Sequence, residues 1–143
     1  MRYLEEEYRI KSLQKLLETK ASAELAENQE DEKDLMPFPV LDACFALFAG
    51  EKYAPKEIYL TMRAMWSDEE LQKMAPQYTP PMLKEWVKRF VKLFSSSIFK
   101  WVQAPQTVHV GTLDLDRERA LQLPVAKSDE WLERSLRGID TCA

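Results

Sequence analysis

Three glycines in 143 residues, Gly50, Gly111 and Gly138, are too few and too scattered to build a glycine-rich phosphate loop. The cysteines are equally sparse. Cys44 sits inside an apolar run and Cys142 beside the C-terminus, a pair that makes neither a disulfide framework nor a zinc pattern, so Cys44 is expected to be a small core residue. A single histidine, His109, leaves no basis for a histidine-rich metal site or a Ser-His-Asp triad. No apolar run approaches the roughly 20 residues that span a bilayer, and Met1-Arg2-Tyr3-Leu4-Glu5-Glu6-Glu7 is too acidic for a signal peptide, which points to a cytoplasmic protein without a membrane partner. The net charge of −4 comes with dispersed lysines and arginines, so no basic face suited to a nucleic-acid backbone stands out.

What remains is rich in periodic apolar residues. With 45% hydrophobic and 31% charged residues the chain has the balance of a soluble globular domain and enough apolar material for a core. The organising stretch begins at Thr79-Pro80-Pro81. Met82, Trp86, Phe90 and Phe94 recur every four residues beside Leu83, Val87 and Val91, while Lys84, Glu85, Lys88, Arg89 and Lys92 occupy the other side. That spacing predicts a long amphipathic helix, with prolines in the first turn, Thr79 as its cap, and a stop at Pro105. Near its end, Phe99-Lys100-Trp101 places one lysine between two large aromatics. Lys100 fits a surface lysine with its stem over those rings, or a lysine that contacts phosphate.

Upstream, Leu4, Tyr8, Ile10, Leu13, Leu16 and Leu17 predict one helix from Tyr3 to about Glu18. Between Lys20 and Asp34 apolar residues nearly vanish, and Glu24, Glu27, Glu30, Asp31, Glu32 and Asp34 dominate, as in a solvated linker or a segment that orders on binding. Val40–Ala49 is apolar nearly all round and predicts a buried helix with Pro39 at its start and Gly50 at C′. Pro55 opens another helix through Ile58, Met62 and Met65, the methionines filling core gaps. Ser67-Asp68-Glu69-Glu70 has capping-box spacing for a short helix ending before Pro76.

After Pro105 the alternation Thr107–Leu113 predicts a short strand or an extended arm, and Ser128 can cap a last helix containing Trp131, Leu132 and Leu136 with Gly138 as its stop. Asp114 and Asp116 could face one way and hold a magnesium ion, but Arg117 and Arg119 neutralise them more simply. The residues alone thus describe a soluble, mainly α domain that packs on a partner, and the reading they carry is a stand-alone helical interaction module whose Val40–Ala49 and Met82–Phe94 faces form a dimer core.

Two separated stretches carry a resemblance. Lys20-Ala21-Ser22-Ala23-Glu24-Leu25, then Asn28 through Phe38, then Leu41-Asp42, resembles the mobile second phosphate-binding loop of NAD+ synthases. Trp86-Val87-Lys88-Arg89-Phe90, Phe99-Lys100 and Pro105 resemble the C-terminal signature of the glutamine-dependent, long-chain form of that family. The two matches fall in the family's order and span most of Lys20 to Val125. Ala21 stands where the family has proline, Met36 where it has glycine, and Trp101 where arginine follows the lysine.

The resemblance implies the helical C-terminal part of an α/β synthetase domain of the adenine-nucleotide α-hydrolase type. A mobile nucleotide lid would occupy residues 20–38, a helical core 39–104, and an arm with a short helix 105–143. The implied reaction adenylates deamido-NAD+ with ATP, carried as its Mg2+ complex, and displaces AMP with ammonia drawn from glutamine. Ser22 is implied in ATP binding, Lys100 and Phe99 in deamido-NAD+ binding, and no residue in catalysis or metal ligation. The family's Ser-Gly-Gly-x-Asp-Ser loop and its nitrilase-like glutaminase domain have no counterpart in the sequence. The chain alone is therefore expected to be inactive, a terminal piece that works with the remaining domains of its parent and in a homo-oligomer.

Overall fold

The computed structural model describes residues 2–18, 32, 35–103, 111–116, 120–124 and 129–142. They form a mainly α fold, with no strand among the described residues. The chain divides into two compact units, Met1–Met36 and Pro37–Ala143.

In the first unit the single helix expected from Tyr3 to Glu18 is two helices, α1 (Arg2–Tyr8) and α2 (Lys11–Glu18), which pack on each other. The break lies at Arg9, whose φ of 50° is left-handed and cannot continue an α-helix. Leu13 N–H then bonds to the Ile10 carbonyl at 3.0 Å and opens α2.

The second unit begins with α3 (Phe38–Phe45), entered through Pro37 with Pro39 in its first turn. The apolar run does not remain α-helical to its end. From Ala46 to Gly50 the backbone widens into a π turn, closed by the Glu51 N–H on the Ala46 carbonyl five residues back. Gly50 does not supply the left-handed residue expected of it, since no glycine has positive φ. Lys52, at φ 62°, does. Lysine pays a steric cost there, and its ammonium offsets it by donating to the Ala49 carbonyl near the end of the turn and to Ala120 O at 2.8 Å. One lysine thus ends a helix and fastens the distant 120 segment.

Helix α4 (Pro55–Met65) starts at proline as expected, with Glu57 Oε2 accepting from the Ala54 N–H at 2.7 Å. Ile58 and Met62 are fully buried, but Met65 is half exposed and fills no core gap. Ser67 caps α5 (Asp68–Met74) with Glu70 in the expected reciprocal box: Glu70 N–H donates to Ser67 Oγ at 3.3 Å and Ser67 N–H to Glu70 Oε2 at 2.8 Å. The donated bonds hold the Glu70 carboxyl below its ordinary range.

Helix α6 (Pro80–Gln103) is the long element. Its cap is backbone rather than the Thr79 hydroxyl: Met82 N–H bonds the Thr79 carbonyl at 2.8 Å, and Thr79 N–H points to Met82 Sδ at 3.3 Å. Leu83, Val87, Phe90, Val91 and Ile98 are buried along one side. Phe45 at the end of α3 and Phe48 in the π turn meet Phe90 and Phe94 in four edge-to-face contacts with centroids 5.0–5.9 Å apart. At the other end Trp86 lies against Tyr78, whose hydroxyl reaches Asp68 at 3.3 Å, and Asp68 also pairs with Arg63 from the end of α4.

Helix α7 (Asp129–Asp140) packs on α4 and α6, so these three helices enclose Ile58, Met62, Val87, Leu136 and Ile139. Gly138 lies within α7 and does not stop it, having no left-handed backbone, and a Cβ there would meet Lys56 on α4 only at 3.5 Å, an ordinary contact. Gly138→Ala is therefore expected to stabilise the protein by about 0.5–1 kcal/mol through helix propensity and the lost backbone freedom of the unfolded chain. A lowered urea midpoint would show that the helices cannot accept the methyl group.

Candidate functional site

Three residues were singled out from sequence, and their placement differs. Ser22 lies outside the described residues, as do His109 and Pro105. Phe99 and Lys100 lie on the last turns of α6, both exposed, Phe99 to 48%. The side chain of Trp101 is outside the described set, so only its backbone, helical to Gln103, belongs to the picture. Asp114 and Asp116 are described: Asp116 N–H donates to Asp114 Oδ1 at 2.8 Å, which occupies that carboxylate in a local turn. Among the described residues no three or more His, Cys, Asp and Glu are grouped to hold a metal ion.

The helix itself decides what Lys100 shares a surface with. At about 100° per residue, Arg89, Lys92, Leu93, Ser96, Phe99 and Lys100 fall on one side of α6, opposite Leu83, Val87, Phe90 and Phe94. All six are exposed. The large apolar side chains on this face, Leu93 at 42% and Phe99 at 48%, stand among cations rather than against another helix.

The lysines nearer the core are already committed. Lys84 donates to the Cys142 carbonyl and lies 5.4 Å from the Tyr59 ring centre. Lys88 pairs with Asp140 on α7 and, at 3.3 Å, with Glu85, and its bond to Asp140 raises its pKa. Arg89, Lys92 and Lys100, by contrast, have no ion-pair partner among the described residues. Three uncommitted cations thus line one exposed face, spread over about 16 Å of helix axis. Ser95 lies on the flank between that face and the core, buried, with its hydroxyl lacking a hydrogen-bond partner among the described residues.

Next to the cations lies a groove of about 330 Å3, lined by Glu85, Lys88, Arg89, Lys92 and Leu93. Compared with protein-family models, curated proteins and solved structures, the chain matches none of them. The chemistry of this face is therefore the guide to function. It offers positive charge and exposed apolar surface, which suits binding of an anionic group.

Sequence reasoning anticipated Lys100 and Phe99 as neighbours and Arg89 and Lys92 on the outer side of the helix. It missed the groove and the Lys52 clamp. The only signal for the clamp was a lysine two residues after the glycine that closes an apolar run, too weak to single out.

Proposed function

We infer that this chain is the C-terminal portion of a glutamine-dependent NAD+ synthase, a ligase that amidates deamido-NAD+ to NAD+ at the expense of ATP. The observation that carries the reading is the pairing of two family-like stretches in the family's order, the second of them running from Trp86 to Lys100 along one helix that leaves Lys100 and Phe99 exposed. Lys100, without a carboxylate partner among the described residues, contacts the anionic substrate through its ammonium. Phe99 beside it contributes shape and apolar surface, Ser22 contacts ATP, and residues 20–38 serve as the nucleotide lid. The ATP pyrophosphate loop and the glutaminase belong to other parts of the parent, and the chain by itself binds rather than catalyses.

The dimerisation alternative draws on the Val40–Ala49 and Met82–Phe94 faces. In this structure Phe45 and Phe48 of the first pack on Phe90 and Phe94 of the second within one chain.

Lys100→Ala in the full-length parent tests the reading. Loss of one charge-assisted contact of about 1.5–3 kcal/mol should lower kcat/KM for deamido-NAD+ roughly 10- to 100-fold, with saturation by ATP unchanged and folding intact by circular dichroism. Unchanged saturation by deamido-NAD+ would remove Lys100 from the site. Calorimetric titration of the purified chain with deamido-NAD+, with and without Mg-ATP, shows whether that surface works without the rest of the enzyme.

A further inference from the structure

The groove beside Arg89 lies about two to four turns before Lys100 on α6 and is not used by the reading above. All five of its described lining residues, at positions 85, 88, 89, 92 and 93, come from α6 and follow the three- and four-residue rows that form the ridges of a helix surface. A furrow between such rows is shaped to take the ridge of another helix. One side of it is fixed, because Lys88 is tied to Asp140 on α7 and, more loosely at 3.3 Å, to the exposed Glu85. The other side carries Arg89 and Lys92, one turn apart and without an ion-pair partner among the described residues, next to the half-exposed Leu93. Just beyond, Ser96 turns its hydroxyl back to the Leu93 carbonyl at 3.0 Å and leaves a low point on the surface.

We propose that the Glu85–Ser96 face of α6 docks an acidic amphipathic helix of a partner protein, with carboxylates one turn apart on Arg89 and Lys92 and an apolar side chain on Leu93. The charge selects the partner. A nucleic-acid backbone engages on the order of 6–10 phosphate contacts, and this face offers two free cations in three turns. An anionic membrane calls for 4–8 clustered basic residues and a broad apolar face, whereas Leu93 is the only large exposed hydrophobic residue between Glu85 and Ser96. Two fixed carboxylates and one apolar contact match what is present.

The test uses the full 143-residue chain and a synthetic helical peptide bearing glutamates one turn apart with a leucine between them, beside a second peptide with glutamine at those positions. By fluorescence anisotropy at low salt the glutamate peptide should bind about tenfold or more tightly than its glutamine counterpart, and added salt should weaken it. Arg89→Glu combined with Lys92→Glu should abolish the preference, and Arg89→Gln with Lys92→Gln should do the same without placing like charges beside Glu85. Equal binding of the two peptides, or a preference that survives both double variants, would overturn the proposal. So would tighter binding to anionic vesicles than to the peptide, or a chain dimer that dissociates on Arg89→Glu, since each assigns the face to a different occupant. Lys100 is intact in every variant, so failure here leaves the deamido-NAD+ reading standing, and failure of the Lys100 test leaves this one.

Discussion

Phe90→Ala should destabilise the protein by about 3–5 kcal/mol, a large part of the 5–15 kcal/mol that holds a typical domain together. Phe90 is 3% exposed and touches three rings, Phe45, Phe48 and Phe94, with centroids 5.1, 5.8 and 5.6 Å away. Removing its ring forfeits the transfer energy of a buried aromatic and two edge-to-face contacts, each worth about 0.5–1.5 kcal/mol, and leaves a cavity between α6 and the two elements that pack on it. The neighbouring rings cannot collapse into that space easily, because the π turn sets the register of Phe48 and the Lys52 clamp holds its end. Urea denaturation followed by circular dichroism measures the loss, and Leu60→Ala, at a site 48% exposed, is the control expected to cost far less. A Phe90→Ala midpoint close to that of Leu60→Ala would mean that α3 and the π turn are not integral to the folded unit.

The second large effect concerns Cys44. Its thiol is fully buried, lies 3.9 Å from Met62 Sδ, and is pushed up from an ordinary 9.0 to about 12 by burial. At pH 8 the folded chain should hold about a thousandfold less thiolate at this position than the unfolded chain. Labelling of Cys44 in a Cys142→Ser background should be slower by at least that factor in the absence of urea than in its presence. The same difference acts on stability. The unfolded thiol releases its proton near pH 9 and the folded one only near 12, so the contribution is whole below pH 9 and falls by about 1.4 kcal/mol per pH unit as the pH rises to 12. Tyr78, raised by burial and by the Asp68 charge, and Lys88, raised by its bond to Asp140, act in the same alkaline direction. Cys44→Ala should flatten the alkaline slope while lowering stability at neutral pH through lost packing. A slope unchanged by the substitution would assign alkaline unfolding to the other groups.

How much of this was legible beforehand varies with the physics of each feature. Helices α4, α5 and α6 were readable because their signals are local: Pro55 at a first turn, Ser67 with Glu70, and aromatics every four residues. The single N-terminal helix was misread because periodicity does not register a backbone reversal at one arginine. Gly50 and Gly138 were both read as helix stops, since glycine favours ends. Neither has a left-handed backbone, and Gly138 continues α7 where it faces Lys56. The candidate site divides the same way: exposure of Lys100 and Phe99 followed from the amphipathic pattern, whereas the groove did not.

By itself, then, the sequence determined the helical class, the buried stripe of α6 and the set of cations opposite it, because a helix converts spacing into faces without help from the rest of the chain. The tertiary structure decided which of those cations are free. Asp140, more than fifty residues from Lys88 along the chain, takes that lysine, Cys142 takes Lys84, and Arg89, Lys92 and Lys100 have no ion-pair partner among the described residues. Long-range pairing depends on how α7 lies against α6, and that arrangement is set by the joint packing of α4, α6 and α7, which no local pattern encodes.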